Sequence, residues 1–121
     1  QISDVGLKEL ASLKKLTTLY LQETKVTDAG LKELAPLTNL KVLTLDANAV
    51  MDSGLKNLAP LQNLKILSIS KTNLTDAGLK DIAQLKGLTE LDLLETRVTR
   101  QGVAELQKAL PTCLIRFKAT N

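Results

Sequence analysis

A seven-residue segment of this chain returns every 24 residues. Val26–Lys32 (VTDAGLK) returns as Leu74–Lys80 (LTDAGLK), and related segments begin at positions 2, 50 and 98. The 121 residues therefore divide, without an insertion, into five blocks: 2–25, 26–49, 50–73, 74–97 and 98–121. A fixed period of this length predicts a stack of equivalent units, each burying its apolar face against its neighbours. We therefore expect one domain over residues 1–121, with no linker.

Each block has two halves with different hydrophobic periods. In block two, Leu31 and Leu34 recur at three-residue spacing, which predicts a short helix with one buried face. Farther along, Leu43 and Leu45 alternate with Val, Thr and Asp, which predicts a strand with one buried face. Four blocks place an aspartate where a helix N-cap is expected: Asp4, Asp28, Asp52 and Asp76.

Consecutive strands that are separated by a helix must be parallel neighbours, because each connection is a crossover and not a hairpin. The core is almost entirely leucine, with 27 Leu against one Tyr and one Phe. We predict an α/β fold: a right-handed solenoid with a parallel sheet on the concave side and short helices on the convex side. Block five replaces the usual Asp and Lys by Arg100 and Ala104, so we expect it to act as a C-terminal cap.

The strand half of each block resembles the conserved segment of leucine-rich repeats. In block two it runs from Leu40 to Val50 as Leu-x-x-Leu-x-Leu-x-x-Asn-x-Val, and other blocks carry threonine in the asparagine place. The helical half of each block, with its Thr-Asp-x-Gly-Leu pattern, is similar to the ribonuclease-inhibitor-like and F-box-associated branch of the leucine-rich repeats. The 24-residue length of the block resembles that of bacterial members. This resemblance covers nearly the whole chain. It implies a non-enzymatic scaffold that binds a protein or peptide on its concave sheet.

Two alternatives to that function stay open at this point. The near-identity of the blocks also fits a structural spacer or a designed consensus scaffold without a native ligand. Block one has no polar cap comparable to block five, which fits a fragment of a longer repeat array. An uncapped N-terminal edge would also permit self-association.

Side chains that point outward from the strands carry no packing constraint and form three columns across the sheet. Val42, Ile66 and Tyr20 offer an apolar patch, and Glu90 and Asp92 form an acidic end suited to a basic partner. We expect partner specificity to reside in these columns. The columns are Thr18, Val42, Ile66, Glu90 and Leu114; Tyr20, Thr44, Ser68, Asp92 and Arg116; and Gln22, Asp46, Ser70, Leu94 and Lys118. The candidate binding residues are all of these except Leu114 and Lys118.

Composition argues against several other functions. A formal net charge of +3 is too small to indicate nucleic-acid binding, and no apolar run reaches the roughly 20 residues of a membrane span. The chain has no His and a single Cys, so we predict no cofactor, no metal site and no catalytic thiol. Glu90 and Asp92 share one strand face, but an open sheet would not desolvate them enough for acid–base catalysis.

Lysines recur along the predicted helices, but their acidic neighbours cancel the positive field that phosphate binding requires. We therefore interpret Lys8, Lys32, Lys56 and Lys80, beside Glu9, Glu33 and Asp81, as a solvated face. Other recurring residues are interpreted as structural. The glycine of each block is expected to permit close approach of the neighbouring block. The turn residues Thr24, Asn48, Thr72, Thr96 and Thr120 are expected to hydrogen-bond the backbone.

Two residues of block five are predicted to belong to the core. Cys113 is interpreted as a small buried hydrophobe. Phe117 occupies the place of Leu21 and Leu45 in its block and is expected to plug the end of the core.

Overall fold

A computed structural model of the protein describes residues 3–118, in which helices and strands alternate with the period of the sequence. Each 24-residue turn of the chain, here called a coil, contributes one helical segment and one strand. The α-helices are α1 (Asp4–Leu10), α2 (Asp28–Leu31), α3 (Asp76–Ile82) and α4 (Arg100–Ala109). The 3₁₀ helices are Lys32–Leu34, which continues α2, and Asp52–Leu58. The strands are β1 (Thr18–Tyr20), β2 (Val42–Thr44), β3 (Ile66–Ser68), β4 (Glu90–Asp92) and β5 (Leu114–Arg116).

The five strands form one parallel sheet in chain order, β1-β2-β3-β4-β5. Every register shift is 24 residues, as in the pairing of Leu19 with Leu43 and of Leu43 with Leu67. The predicted α/β solenoid, with its parallel sheet and its short helices on the opposite side, is confirmed.

Leucines fill the space between the helices and the sheet. In coil two, Leu34 on the helical side and Leu43 and Leu45 on the sheet side are completely inaccessible to solvent. The central residue of each strand points inward and its two neighbours point outward, so the predicted facing of the strands is correct. Burial of equivalent leucines between coils is the main force holding the stack together.

The recurring aspartates do not cap their own helices, so that prediction is wrong. Each lies at the first helical position and follows an extended N-cap residue, such as Thr27 before Asp28. Its carboxylate bonds the following coil instead: Asp4 accepts from the Thr27 amide at 2.8 Å and from the Thr27 hydroxyl at 2.5 Å. A contact between coils is therefore the reason for the recurring Asp-x-Gly.

The repeated glycine makes room for that carboxylate. A β-carbon at Gly54 would lie 2.6 Å from Cγ of Asp28, which is too close for a stable contact. The predicted close approach between coils is confirmed here and at Gly30, Gly78 and Gly102, where a β-carbon would also collide with an aspartate of the preceding coil.

The turns after β1, β2, β3 and β4 are held by the predicted polar ladder. Asn48 donates to the Leu21 carbonyl of the preceding coil at 2.6 Å, and its Oδ1 accepts from the Thr24 hydroxyl at 2.9 Å and the Val26 amide at 3.1 Å. The hydroxyl of Thr72 donates to the Ile69 carbonyl at 3.0 Å. Thr120 lies outside the described residues, as does Ile2 at the start of block one.

Within each of these turns, the residue immediately before the ladder threonine or asparagine adopts the left-handed backbone region. They are Glu23, Ala47, Lys71 and Glu95, with φ of 54°, 57°, 56° and 57°. None of them is glycine, so the sequence gives no sign of this conformation. In block five, Cys113 is buried and Phe117 packs against the core, as predicted.

Candidate functional site

The outward side chains of the five strands form one continuous surface, here called the open sheet face. Its first column runs through Thr18, Val42, Ile66, Glu90 and Leu114, and its second through Tyr20, Thr44, Ser68, Asp92 and Arg116. Neighbours within a column lie about 4.8 Å apart along the hydrogen-bonding direction. The structure therefore brings the predicted first and second columns together in the expected order.

This face contains a depression of about 130 Å³ over strands β3, β4 and β5. Glu90 and Asp92 lie along its middle strand. Ile66 and Ser68 line one side, and Leu114 and Arg116 line the other. The depression thus offers apolar, anionic and cationic groups within three adjacent strands.

The two acidic residues in the depression differ in their surroundings. Asp92 is half-buried and its Oδ1 accepts from the Leu94 amide at 3.0 Å, so part of its hydrogen-bonding capacity is used locally. Glu90 is exposed and lies between Ile66 and Leu114 in the first column. Its charge contributes, after the larger effect of burial, to raising the pKa of the Cys113 thiol. Glu90 is therefore the more available of the two carboxylates for an incoming cation.

The third predicted column is interrupted at Ser70. Gln22 and Leu94 are exposed and Asp46 is half-buried, so the alternation of facing continues past the three-residue strands at these positions. Ser70 is only 8% exposed, and the prediction that it faces solvent is wrong. The Oδ1 of Asp46 accepts from the Ser70 amide at 2.7 Å and from the Ser68 hydroxyl at 2.6 Å. Asp46 and Ser70 therefore stabilise the edge of the open sheet face.

The amino-terminal half of the face is less charged. Tyr20 is 63% exposed and Val42 is half-buried beside Thr18. The Thr44 hydroxyl donates to Oε1 of Gln22 at 2.8 Å, which joins adjacent coils across the surface. This half presents an aromatic ring and a β-branched side chain but no charge within β1 and β2.

Leu114, the last residue of the predicted first column, lines the depression. It is 56% exposed, which is high for a leucine in a chain whose other leucines are mostly buried. Its spacing of 24 residues from Glu90 predicts this outward position, although the candidate binding residues of that column stop at Glu90.

Coil one leaves part of its apolar surface uncovered. Leu13 is 49% exposed, whereas its counterparts Leu37, Leu61 and Leu85 are buried between coils. Within the described residues no coil packs on the outer side of coil one. The predicted self-association through this edge stays a prediction.

The helical side of the molecule carries a row of lysines. Lys8, Lys32, Lys56 and Lys80 are exposed on the helical side, as expected of a solvated face. Among residues 3–118, no three His, Cys, Asp or Glu side chains cluster in a way that would hold a metal ion. None of the helices in that range has the length and apolar character needed to cross a bilayer.

Comparisons with known proteins agree with this geometry. A family model described as Leucine Rich repeat matches residues 12–35 and 61–83. Internalin C2 of Listeria monocytogenes superposes with a TM-score of 0.73 and 30% identity, over 94% of this chain and 49% of that one. The chain is a leucine-rich repeat protein. A leucine-rich repeat protein of Leptospira interrogans also superposes at 0.73 and 30% identity, over 91% of this chain and 27% of its own.

Other comparisons add less about this leucine-rich repeat protein. An internalin F of Listeria monocytogenes, 24% identical with a TM-score of 0.62 over 94% of this chain and 39% of that one, shares the fold. No curated protein matches the sequence. The chain spans about half the length of internalin C2, the first of these neighbours. Leucine-rich repeats generally serve as protein-binding scaffolds, and proteins such as the internalins are typically non-enzymatic.

Proposed function

We propose that this protein is a non-enzymatic scaffold that binds a protein or peptide segment on the open sheet face. The observation that carries the proposal is the depression over β3, β4 and β5, where Ile66 and Leu114 flank the exposed carboxylate of Glu90. Binding sites on proteins combine apolar surface with a few placed polar groups, and this arrangement provides both.

Two further features support recognition on this side of the molecule. The outward side chains differ from coil to coil, whereas the buried positions repeat leucine, so variation is concentrated on the face. The Asp46 and Thr44 hydrogen bonds hold neighbouring coils in a fixed arrangement, which lowers the conformational entropy lost on binding.

The experiment selects peptides from a displayed random library against the purified chain and measures their affinity as labelled synthetic peptides. The face variant carries Ile66→Arg and Leu114→Arg. The control variant carries Val5→Arg and Met51→Arg, which replace two exposed apolar residues away from the sheet, 77% and 52% exposed. Circular dichroism and thermal unfolding establish that both variants are folded.

We expect the face variant to lose about tenfold or more in affinity, equivalent to about 1.4 kcal/mol, and the control to change little. Equal losses in both variants would contradict the proposal, because they would place binding outside the face. A selection that yields no binding peptide would favour a structural spacer instead.

A further inference from the structure

The charges of this protein separate onto opposite long sides of the solenoid. Four segments lead from a helix into a strand, and together they contain five Lys and no Asp or Glu: 11–17, 35–41, 59–65 and 83–89. Four other segments lead from a strand into a helix, and together they contain six acidic and four basic residues: 22–28, 46–52, 70–76 and 94–100. Since the strands are parallel, all the first segments meet at one side of the sheet. We call this side the basic edge: Lys14, Lys15, Lys41, Lys65 and Lys86.

The basic edge is held in register by hydrogen bonds between its segments. The Lys65 amide donates to the Lys41 carbonyl at 2.8 Å, and the Lys41 amide donates to the Thr17 carbonyl at 2.7 Å. The side-chain amide of Asn39 donates to the Lys14 carbonyl at 2.9 Å. Lys41 and Lys65 are thus consecutive rungs of one ladder, about 4.8 Å apart at the backbone. The edge is a row of cations on a fixed support.

Among residues 3–118, no acidic side chain forms an ion pair with these five lysines, all of which are exposed. The pair between Lys108 and Glu105 lies elsewhere on the molecule. The Lys86 ammonium reaches only the Ala109 carbonyl, at 3.5 Å. The backbone spacing of about 4.8 Å between Lys41 and Lys65 is below the Debye length of about 8 Å at physiological ionic strength, so their charges act together. The helical-side lysines differ, because acidic residues are interspersed with them.

The chemistry of the row favours one kind of polyanion. Its cations are all lysines, which act as point charges, and it holds no Arg for bidentate contacts to phosphate or guanine. The four segments contain no aromatic residue on which a base could stack. Leu13 is the one large apolar residue exposed among those segments, which offers little for insertion into a lipid surface. We propose that the basic edge binds a linear sulfated polysaccharide lying across the ends of the strands.

The test measures the affinity of a labelled heparin dodecasaccharide by fluorescence anisotropy between about 50 and 200 mM salt, a range over which counterion release changes affinity strongly. The edge variant is Lys41→Gln with Lys65→Gln. The control is Lys32→Gln with Lys56→Gln, which removes two exposed lysines from the same two coils but from the helical side. Both variants therefore carry the same net charge.

We expect the edge variant to lose about tenfold or more in affinity at the lower salt and to show a shallower salt dependence, while the control changes by less than about threefold. Absence of binding by the unmodified chain at the lower salt would overturn the proposal. Equal losses in both variants would also overturn it, because net charge alone would then explain binding. Tighter binding of a DNA duplex or of phosphatidylserine vesicles, measured in parallel, would overturn the choice of a polysaccharide.

Discussion

The carboxylate of Asp76 accepts two hydrogen bonds from Thr99, a residue of the next coil. The Thr99 amide lies 2.8 Å from Oδ1 and the Thr99 hydroxyl lies 2.5 Å from Oδ2. The same pair of bonds joins Asp52 to Thr75, and Asp28 divides its two bonds between the Met51 amide and the Ser53 hydroxyl. A charged acceptor therefore joins each of these coils to the one that follows it.

Replacing Asp76 by alanine should lower the free energy of unfolding by about 1–3 kcal/mol. The substitution leaves the Thr99 amide and hydroxyl without their acceptor in a half-buried position. Urea denaturation measures the effect. The control is Asp81→Ala on the same helix, for which we expect a change within about 0.5 kcal/mol. Similar values for the two variants would show that the contact between coils contributes little.

Gly54→Ala should destabilise the fold although alanine is the better helix former. The helical preference is worth roughly 0.5–1 kcal/mol, whereas forcing a methyl group against Asp28 costs roughly 1–3 kcal/mol, so the steric cost prevails. Gly87→Ala is the matched control, because its β-carbon would lie 3.4 Å from the nearest atoms, an ordinary contact. Thermal unfolding should show a lower Tm for Gly54→Ala only. A higher Tm for that variant would contradict the close approach of the two coils.

Leu43→Ala should cost on the order of 2–5 kcal/mol, because it opens a cavity at a completely buried position between coils. Thr44→Ala, on the neighbouring outward position, should change stability by no more than roughly 0.5 kcal/mol. Chemical denaturation of both variants checks the facing of the strand. Comparable losses would mean that the assigned facing is shifted by one residue.

Lys71→Gly should stabilise the protein by about 0.5–1 kcal/mol. Lys71 has a φ of 56°, where a β-carbon costs roughly 1–2 kcal/mol, and the entropic cost of glycine is only roughly 0.5–1 kcal/mol. The Lys71 amide keeps its hydrogen bond to the Leu94 carbonyl at 2.9 Å. Lys65→Gly, at an exposed position outside the left-handed region, should destabilise instead. The prediction fails if both variants shift the unfolding midpoint in the same direction.

The Cys113 thiol should make stability depend on alkaline pH. Burial, and then the Glu90 carboxylate, raise the pKa of Cys113 in the folded protein, so the unfolded chain loses this proton at lower pH. The corresponding contribution to stability is complete below the ordinary thiol pKa of about 9.0 and is lost as the pH rises through the folded value. The stability difference between the unmodified chain and Cys113→Ala should therefore shrink from pH 7 to pH 10. A constant difference would disprove this.

The sequence alone was sufficient for the architecture because the repeat makes every coil a copy of its neighbours. Once Leu43 and Leu45 are placed inward, the 24-residue period fixes the partners of every strand residue, and the observed registers follow. The same argument placed Glu90 and Asp92 on the open sheet face and Asn48 in the turn ladder.

Other features of the structure could not be predicted from the sequence, because they depend on contacts with residues of the neighbouring coil. An aspartate before a helix looks like an N-cap, and only the position of Thr27 relative to Asp4 reveals the contact between coils. The left-handed backbone at Lys71 could not be predicted, because the residue at that position is not glycine. Ser70 was assigned to the surface because alternation was extended beyond a strand that ends at Ser68. The basic edge becomes visible only when the loops are compared across coils.

Every one of these aspartate carboxylates accepts hydrogen bonds from the turn of the chain that follows its own. Because donor and acceptor recur at the same interval as the repeat itself, an in-frame gain or loss of 24 residues leaves each aspartate with a donor amide and a donor hydroxyl. Genes encoding such arrays can therefore lengthen or shorten by unequal recombination while the protein between the altered points keeps its bonding intact.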